Sequence, residues 1–396
     1  MKKLGLLPKL VAGIIIGMLA GTFLPKPFIE VLATFNGIFG NFLNFAIPLI
    51  IIGFVVPGIG DLGKGAGKTL AITALLAYTS TVLAGTLAFF TGTTLFPKFL
   101  QVGSMSLAGQ AGNPEESLVN AIFKIEMPPV MDVMTALILS FTLGLGIAVI
   151  KGTKIKEIFG EFQEIITKLI ENIIIPLLPI YVMGIFANMT YTGEVYKIMS
   201  VFAKVFAIII SLHFIYILFE YVVAGIVAKK NPFVLIKNML PAYVTSLGTQ
   251  SSAASIPVTL EQTLKNGVNR DVAEFVVPLG ATIHLPGSTI TITSCAIAIM
   301  LLNGVPVTFG NIMPFVMMLG VTMVAAPGVP GGAVMAALGV LQSMLGFNDN
   351  MLSLMIALYL AQDSFGTACN VTGDSSIALL VTKFNNKFNS AKKTTV

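Results

Sequence analysis

Two carboxylates, an amide and a hydroxyl stand close together in "AQDSFGTACNVTGDSSIALLV", residues 361–381: Asp363, Thr367, Asn370 and Asp374. Apolar residues lead into this stretch and out of it. Asp363 and Asp374 are eleven residues apart, about three helical turns, so a regular helix carries both on one face. Thr367 follows Asp363 by four residues and Asn370 precedes Asp374 by four, which sets them near that face. The β-branched residues and glycine of "NVTGD" predict a local unwinding that would free carbonyl oxygens. Carboxylate, amide and free carbonyls together suit a small hard cation. Ionisable groups inside an apolar span usually face a cavity and mark a substrate or ion path. The plainer reading is that the two aspartates pair with each other or cap helix breaks.

The elements that must position these groups are membrane helices. Of 396 residues, 55% are hydrophobic and 10% charged, with mean hydropathy +0.91; a soluble domain is about 25% charged. The chain therefore reads as an all-α polytopic membrane protein. Helical spans are expected at 4–24, 37–58, 69–95, 128–150, 157–191, 199–228, 271–302 and 350–382. The first is read as a retained helix rather than a signal peptide. The fifth breaks at "IIPLLP" (174–179), where prolines remove backbone donors. Residues 99–127 read as an external loop with short helical pieces. Residues 232–268 and 310–346 each pair two apolar arms around a small-residue, proline-containing tip. Such tips are tolerated in a membrane beside a cavity or within protein, so both read as re-entrant hairpins, one in each half of an inverted repeat.

The basic clusters alternate along the chain as the positive-inside rule requires, with both termini cytoplasmic and the protein in the cytoplasmic (cell inner) membrane. The formal charge of +5 then lies at the inner membrane face, and nucleic acid is not a partner. The 2 cysteines, Cys295 and Cys369, read as packing residues.

Four segments, "SLGTQSSAASIPVTLEQ", "LGATIHLPGSTI", "AAPGVPGGAVMAALGVL" and "DSFGTACNVTGD", resemble in that order the signatures of the dicarboxylate/amino acid:cation symporter family, the glutamate transporters and their bacterial and archaeal homologues. The likeness covers the carboxyl-terminal half closely and the first half mostly in hydropathy. It implies eight transmembrane helices plus two re-entrant helical hairpins, the elevator fold of a glutamate transporter homologue, assembled as a homotrimer. On that plan 1–68 are scaffold helices 1 and 2, and 69–98 are transport-domain helix 3. Residues 99–228 are the external loop and scaffold helices 4–6, with part of helix 5 shared. Residues 229–396 hold hairpin 1, helix 7, hairpin 2 and helix 8 of the transport domain. Carried over by residue, Ser251 and Ser252 would offer hydroxyl and backbone groups to a substrate α-carboxylate. Gly328, Val329 and Pro330 would form the outer gate. Asp363 would hold the substrate ammonium, Thr367 and Asn370 would complete the polar shell, and Asp374 would be a cation ligand. The plainer readings are a serine tip that caps a helix and a proline tip that is a packing kink.

The departures from the family pattern carry as much information. Members that take glutamate or aspartate place an arginine just before the threonine of the last helix; here that residue is Gly366. Some members keep it before the hairpin serines, where this chain has Gln250. Arg270 is the chain's single arginine and sits in the polar run "KNGVNRDVAE". An acidic side chain would lie desolvated without a cation, at a cost of several kcal/mol. A neutral amino acid is therefore expected, with room for a bulky side chain beside Gly366. In the seventh helix the family's Asn-Met-Asp-Gly-Thr becomes His284-Leu285-Pro286-Gly287-Ser288. Met323 and Ala326 stand where hydroxyl residues are usual. Thr282, Asn370 and Asp374 remain, so the cation or proton site is expected to draw on Thr282, His284, Asn370 and Asp374, with Asp374 and Asn370 the ligands of any sodium. Three readings of His284 stay open: a carrier of a coupled proton, a structural group, or a fixed charge in place of a bound cation. His213 reads as a structural histidine.

The expected function is a secondary active transporter that moves a neutral amino acid by an elevator mechanism. Its sodium coupling would be weakened or absent, its coupling ion sodium or a proton, and it would need no organic cofactor. The alternatives are a sodium-coupled neutral amino acid symporter with a serine/threonine or cystine-like substrate, and a passive channel. An intramembrane aspartyl protease also needs two membrane aspartates, but Val371-Thr372-Gly373-Asp374 lacks its Gly-x-Gly-Asp pattern, and the chain is not expected to be an enzyme.

Overall fold

The structure is a computed structural model that describes residues 6–62, 67–100, 102–103, 119–150, 153–193, 195–324, 326, 328 and 330–393. Among the described residues it is all-helical. The amino-terminal helices are α1 (Leu6–Phe23), α2 (Lys26–Leu62), α3 (Gly67–Leu95), α4 (Val133–Val149), α5 (Lys154–Leu169), α6 (Ile175–Tyr191) and α7 (Val195–Ala228). Five segments are long and apolar enough to cross a membrane: Lys26–Pro57, Thr69–Lys98, Lys154–Tyr191, Ala203–Ala228 and Arg270–Leu302.

α1 lies along α6 and α2 along α4. Gly17 and Gly21 of α1 sit so close to the Met183 and Ala187 carbonyls that any side chain there would collide, the small-residue packing by which membrane helices approach without a hydrophobic driving force. The break expected at 174–179 falls earlier. A π-helical turn at Ile170–Ile174 joins α5 to α6, and Pro176 enters at the start of α6, where its missing N–H costs least. Residues 119–132 carry no helix, and 104–118 of the expected external loop lie outside the described residues.

Two helix–helix hairpins follow. α8 (Pro232–Thr249) and α9 (Ser252–Lys265) form the first, and α12 (Phe309–Met323) and α13 (Gly332–Leu345) the second. Between them run α10 (Arg270–Ile283) and α11 (Pro286–Leu302), and α14 (Asp349–Lys393) closes the chain. The span expected as one helix over 271–302 is thus two. Pro286 has no N–H and disfavours helical backbone in the residue before it, so α10 ends at His284 and α11 starts at Pro286.

α11 is buried almost along its whole length and packs on α3 and α14. α8, α10 and α7 pack on α14 as well. α7 therefore lies with the carboxyl-terminal helices, although residues 99–228 read from sequence as one scaffold block.

The unwinding expected at "NVTGD" is not there: α14 is continuous from Asp349 to Lys393. Thr372 and Gly373 are buried. The Thr372 hydroxyl donates to the Ala368 carbonyl at 2.7 Å, and the Tyr221 hydroxyl donates to the Thr372 carbonyl at 2.7 Å. Among apolar neighbours an intact helix satisfies its own backbone, which outweighs the weak local preference of Val-Thr-Gly.

Candidate functional site

The two hairpin tips, the α10–α11 break and the middle of α14 converge on a small, nearly closed cleft. Its polar lining is Gln250, Ser252, Ser288, Tyr359, Asp363, Thr367 and Asn370. Each comes from a helix end or from α14. Gln250 ends α8 in the left-handed region (φ 54°). Ser251 is the N-cap of α9, its hydroxyl oxygen accepting from Ala254 N–H at 3.2 Å.

The tips touch across the cleft. The Ser251 hydroxyl donates to the Gly328 carbonyl at 2.6 Å, and Ala253 N–H reaches the same oxygen at 3.4 Å. On the other side Gly331 N–H donates to Asp363 Oδ2 at 2.6 Å, and Thr367 Oγ1 lies 3.4 Å from Asp363 Oδ1. Pro330 stands between these two latches. Val329, expected in the gate, lies outside the described residues. Asp363 is 3% exposed, and no ion pair to it occurs among the described residues. Arg270 pairs with Glu274 at 3.0 Å on an exposed face of α10, far from any of this.

Asn370 does something other than expected. Its Oδ1 accepts from Gly287 N–H at 2.7 Å and from Ser288 N–H at 3.3 Å, capping the donors that α11 exposes at its start. Its Nδ2 donates to Ser288 Oγ at 3.0 Å, which also accepts from Tyr359 OH at 3.0 Å. Gly366 is not in the cleft lining. A Cβ there would meet Gly287, Ser288 and Thr291 at 3.5 Å, so the space expected beside it for a substrate side chain is filled by α11. A Cβ on Gly287 would collide with the Gly366 carbonyl oxygen. The two glycines let α11 and α14 meet backbone to backbone. Thr282 is exposed and bonds only its own helix, at Leu279 O, 2.8 Å away.

Three turns along α14, Asp374 sits in a second polar cluster. His284 Nδ1 lies 3.0 Å from Asp374 Oδ1, and His284 Nε2 lies 3.2 Å from Glu220 Oε1 on α7. Ser80 of α3 donates to Glu220 Oε1 at 2.8 Å and lies 3.0 Å from His284 Nε2. Tyr216 OH donates to the Ser80 carbonyl at 2.5 Å. His284 and Asp374 are each 1% exposed and Glu220 is 5%. Glu220 Oε2 has no hydrogen-bond partner among the described residues and points at the bare Cα of Gly373, where a Cβ would lie 2.5 Å away. The sequence reading placed His284 near Asp374 but passed over Glu220. A carboxylate amid the apolar "FIYILFEYVV" was the available signal. His213, one side of α7 away, holds Gly287 O and Thr291 Oγ1 at 3.1 Å each.

These placements fall on the segments that carry the family likeness. Residues 6–384 match the sequence pattern of the sodium:dicarboxylate symporter family. The chain belongs to that family. Among curated proteins it is 25% identical over 386 residues to a serine/threonine transporter of Acinetobacter baumannii, covering 94% of this chain and 95% of the relative. It is 27% identical over 342 residues to a serine/threonine transporter of Streptococcus suis, covering 84% and 94%. The Acinetobacter baylyi relative of the same description is 25% identical over 395 residues, covering 96% and 97%. The chain is thus a multi-pass membrane protein of a transporter family rather than an enzyme. Among the described residues the cleft lining holds no Lys, Arg or His, and the imidazole of His284 lies against Asp374.

Proposed function

We infer that this family member carries a small neutral amino acid across the cytoplasmic membrane by alternating access. The observation that bears most weight is Asp363, a buried carboxylate in the cleft whose neighbours among the described residues are the Gly331 N–H and the Thr367 and Tyr359 hydroxyls and no cation. A ligand ammonium supplies the missing charge. The amino terminus of α9, with Ser252 in its first turn, presents a positive helix end to the ligand α-carboxylate, and the Ala253 N–H, 3.4 Å from Gly328 O, is released to it when the second tip moves. That leaves the ligand side chain facing Gln250, Ser288, Thr367 and Tyr359, which can hydrogen-bond a hydroxyl and cannot neutralise a second carboxylate. The relatives described as serine/threonine transporters support the same side chain.

Asp363 also ties the ligand to the gate. Its bond to Gly331 N–H ties the second hairpin tip to α14, and the Ser251–Gly328 bond ties that tip to the first. An arriving ammonium competes for Asp363 and repositions the second tip around Pro330. In this reading α3 and α7–α14 move together against α1, α2 and α4–α6 in an elevator step, within a homotrimer. Assigning α7 to the moving unit follows its packing on α14 and α8. Sodium coupling is weakened or absent, because Asn370 Oδ1 caps α11, Thr282 is elsewhere and α14 frees no carbonyl.

A thermal-shift screen of the amino acids tests the reading. A specific ligand at about 100 times its Kd adds about 2.7 kcal/mol to stability. Serine, threonine or another uncharged amino acid should raise the unfolding temperature, and glutamate and aspartate should not. High-affinity aspartate binding overturns it.

A further inference from the structure

We propose that His284, clamped between Asp374 and Glu220, is a resident cation that stands in for a transported sodium ion, and that Glu220 is the residue that fixes it there. The geometry is that of a site and not of a surface pair. A carboxylate can only accept a hydrogen bond. His284 presents one ring nitrogen to Asp374 Oδ1 at 3.0 Å and the other to Ser80 Oγ at 3.0 Å and Glu220 Oε1 at 3.2 Å; with both carboxylate oxygens as acceptors, both nitrogens donate and the ring carries the charge. Every element packed around it contributes to the clamp. α14 brings Asp374, α7 brings Glu220 and Tyr216, and α3 brings Ser80, whose hydroxyl donates to the same Glu220 oxygen. Gly373 leaves the gap through which Glu220 approaches, since a Cβ there would meet its Oε2 at 2.5 Å and the His284 ring at 2.9 Å.

The groups that the family likeness offers a sodium ion are engaged or absent. Asp374 Oδ1 is on the imidazole, Asn370 Oδ1 caps α11, and Pro286 has neither a carboxylate nor a free N–H. His284 therefore gives Asp374 a built-in positive partner that travels with α14, so the amino acid crosses without a co-transported sodium ion. This rests on the amino acid carrier reading, but the sodium site can be tested without any amino acid.

The experiment measures thermal unfolding of the purified full chain in sodium chloride against choline chloride at equal ionic strength. It is run on the wild type, His284→Asn, and the double variant Glu220→Gln with His284→Asn. Wild type should show no sodium-dependent shift. Either variant restores an amide oxygen beside Asp374 without a fixed positive charge, and should gain a shift that sodium gives and choline does not. If His284→Asn alone does not fold, the double variant, which removes both opposing charges, carries the comparison. In wild type with serine or threonine added, sodium should change affinity by less than about fivefold, the low end of typical coupling between two bound ligands. A sodium shift in wild type, folded variants that ignore sodium, or uptake driven by an imposed proton gradient each overturns the proposal. Amino acid binding in no buffer, with the sodium results as expected, overturns the carrier reading and leaves this one standing.

Discussion

Asp363 and Asp374 occupy one face of one helix, about 16 Å apart at 1.5 Å per residue, both almost wholly buried. Asp363 looks into a cleft and has a backbone N–H and the Thr367 and Tyr359 hydroxyls beside it, with no cation among the described residues. Asp374 looks at an imidazole that is itself backed by a second carboxylate. The difference lies in where the opposite charge comes from. A buried carboxylate with its cation built in is part of the fold, while one without must borrow a cation from outside, and that makes it a binding group. Removing one partner of a buried pair strands the other, so the same substitution at the two positions should fail in different ways.

The largest effect is expected at the cluster. Asp374→Ala leaves His284 and Glu220 buried without their third partner, and breaking a buried pair costs about 3–5 kcal/mol. Chemical or thermal unfolding of the detergent-solubilised protein should show it as a lowered midpoint. An unchanged midpoint would put Asp374 outside the charge cluster. Asp363→Asn should leave assembly intact and weaken amino acid binding by about 2–5 kcal/mol, the cost of truncating one side of a desolvated charge pair. Calorimetric titration reads this directly, and unchanged affinity would remove Asp363 from the site.

The sequence made the hairpins legible, because Pro- and Gly-containing tips between apolar arms have few other homes in a membrane protein. The common face of Asp363 and Asp374 followed from helical spacing, and the assignment of His284 to the cation site with Asp374 from the family pattern. Glu220 was missed because its partners lie on α3, α10 and α14, and no local spacing announces a contact with Ser80 or His284. The expected unwinding at 370–374 failed for a tertiary reason. Val371, Thr372 and Gly373 are buried against neighbouring helices, and burial overrides a few tenths of a kcal/mol of propensity. Gly366 was misplaced for want of a rotation angle. Its position one residue before Thr367 is visible in the sequence, but its contact with Gly287 is not.

That misplacement changes which substitution should alter selectivity. An arginine at Gly366 would begin in contact with Gly287 and Thr291, so it should disturb helix packing before it reaches a ligand. Gln250 lines the cleft. Gln250→Arg should add a cation that meets a ligand carboxylate and raise affinity for aspartate or glutamate relative to serine by roughly tenfold, the lower end for a charge-assisted contact at about 1.5 kcal/mol. Competition binding measures the ratio, and no change in it would place the ligand side chain away from Gln250. The smallest effect belongs to the tip contact. Ser251→Ala loses the α9 N-cap and the bond to Gly328, for about 1 kcal/mol. Hydrogen exchange at the two tips should rise while exchange in α11 stays slow, and equal change in both would mean that the tips are not a separable latch.

The central claim is that the cleft takes its cation from a zwitterion with an uncharged side chain. Counterflow in proteoliposomes tests it most directly. Vesicles are loaded with unlabelled serine or threonine, labelled serine is supplied outside in choline medium, and aspartate-loaded vesicles serve as the partner condition. The account predicts transient accumulation of label with serine or threonine inside and none with aspartate. Accumulation driven by internal aspartate, or equilibration without overshoot as an open pore gives, would contradict it.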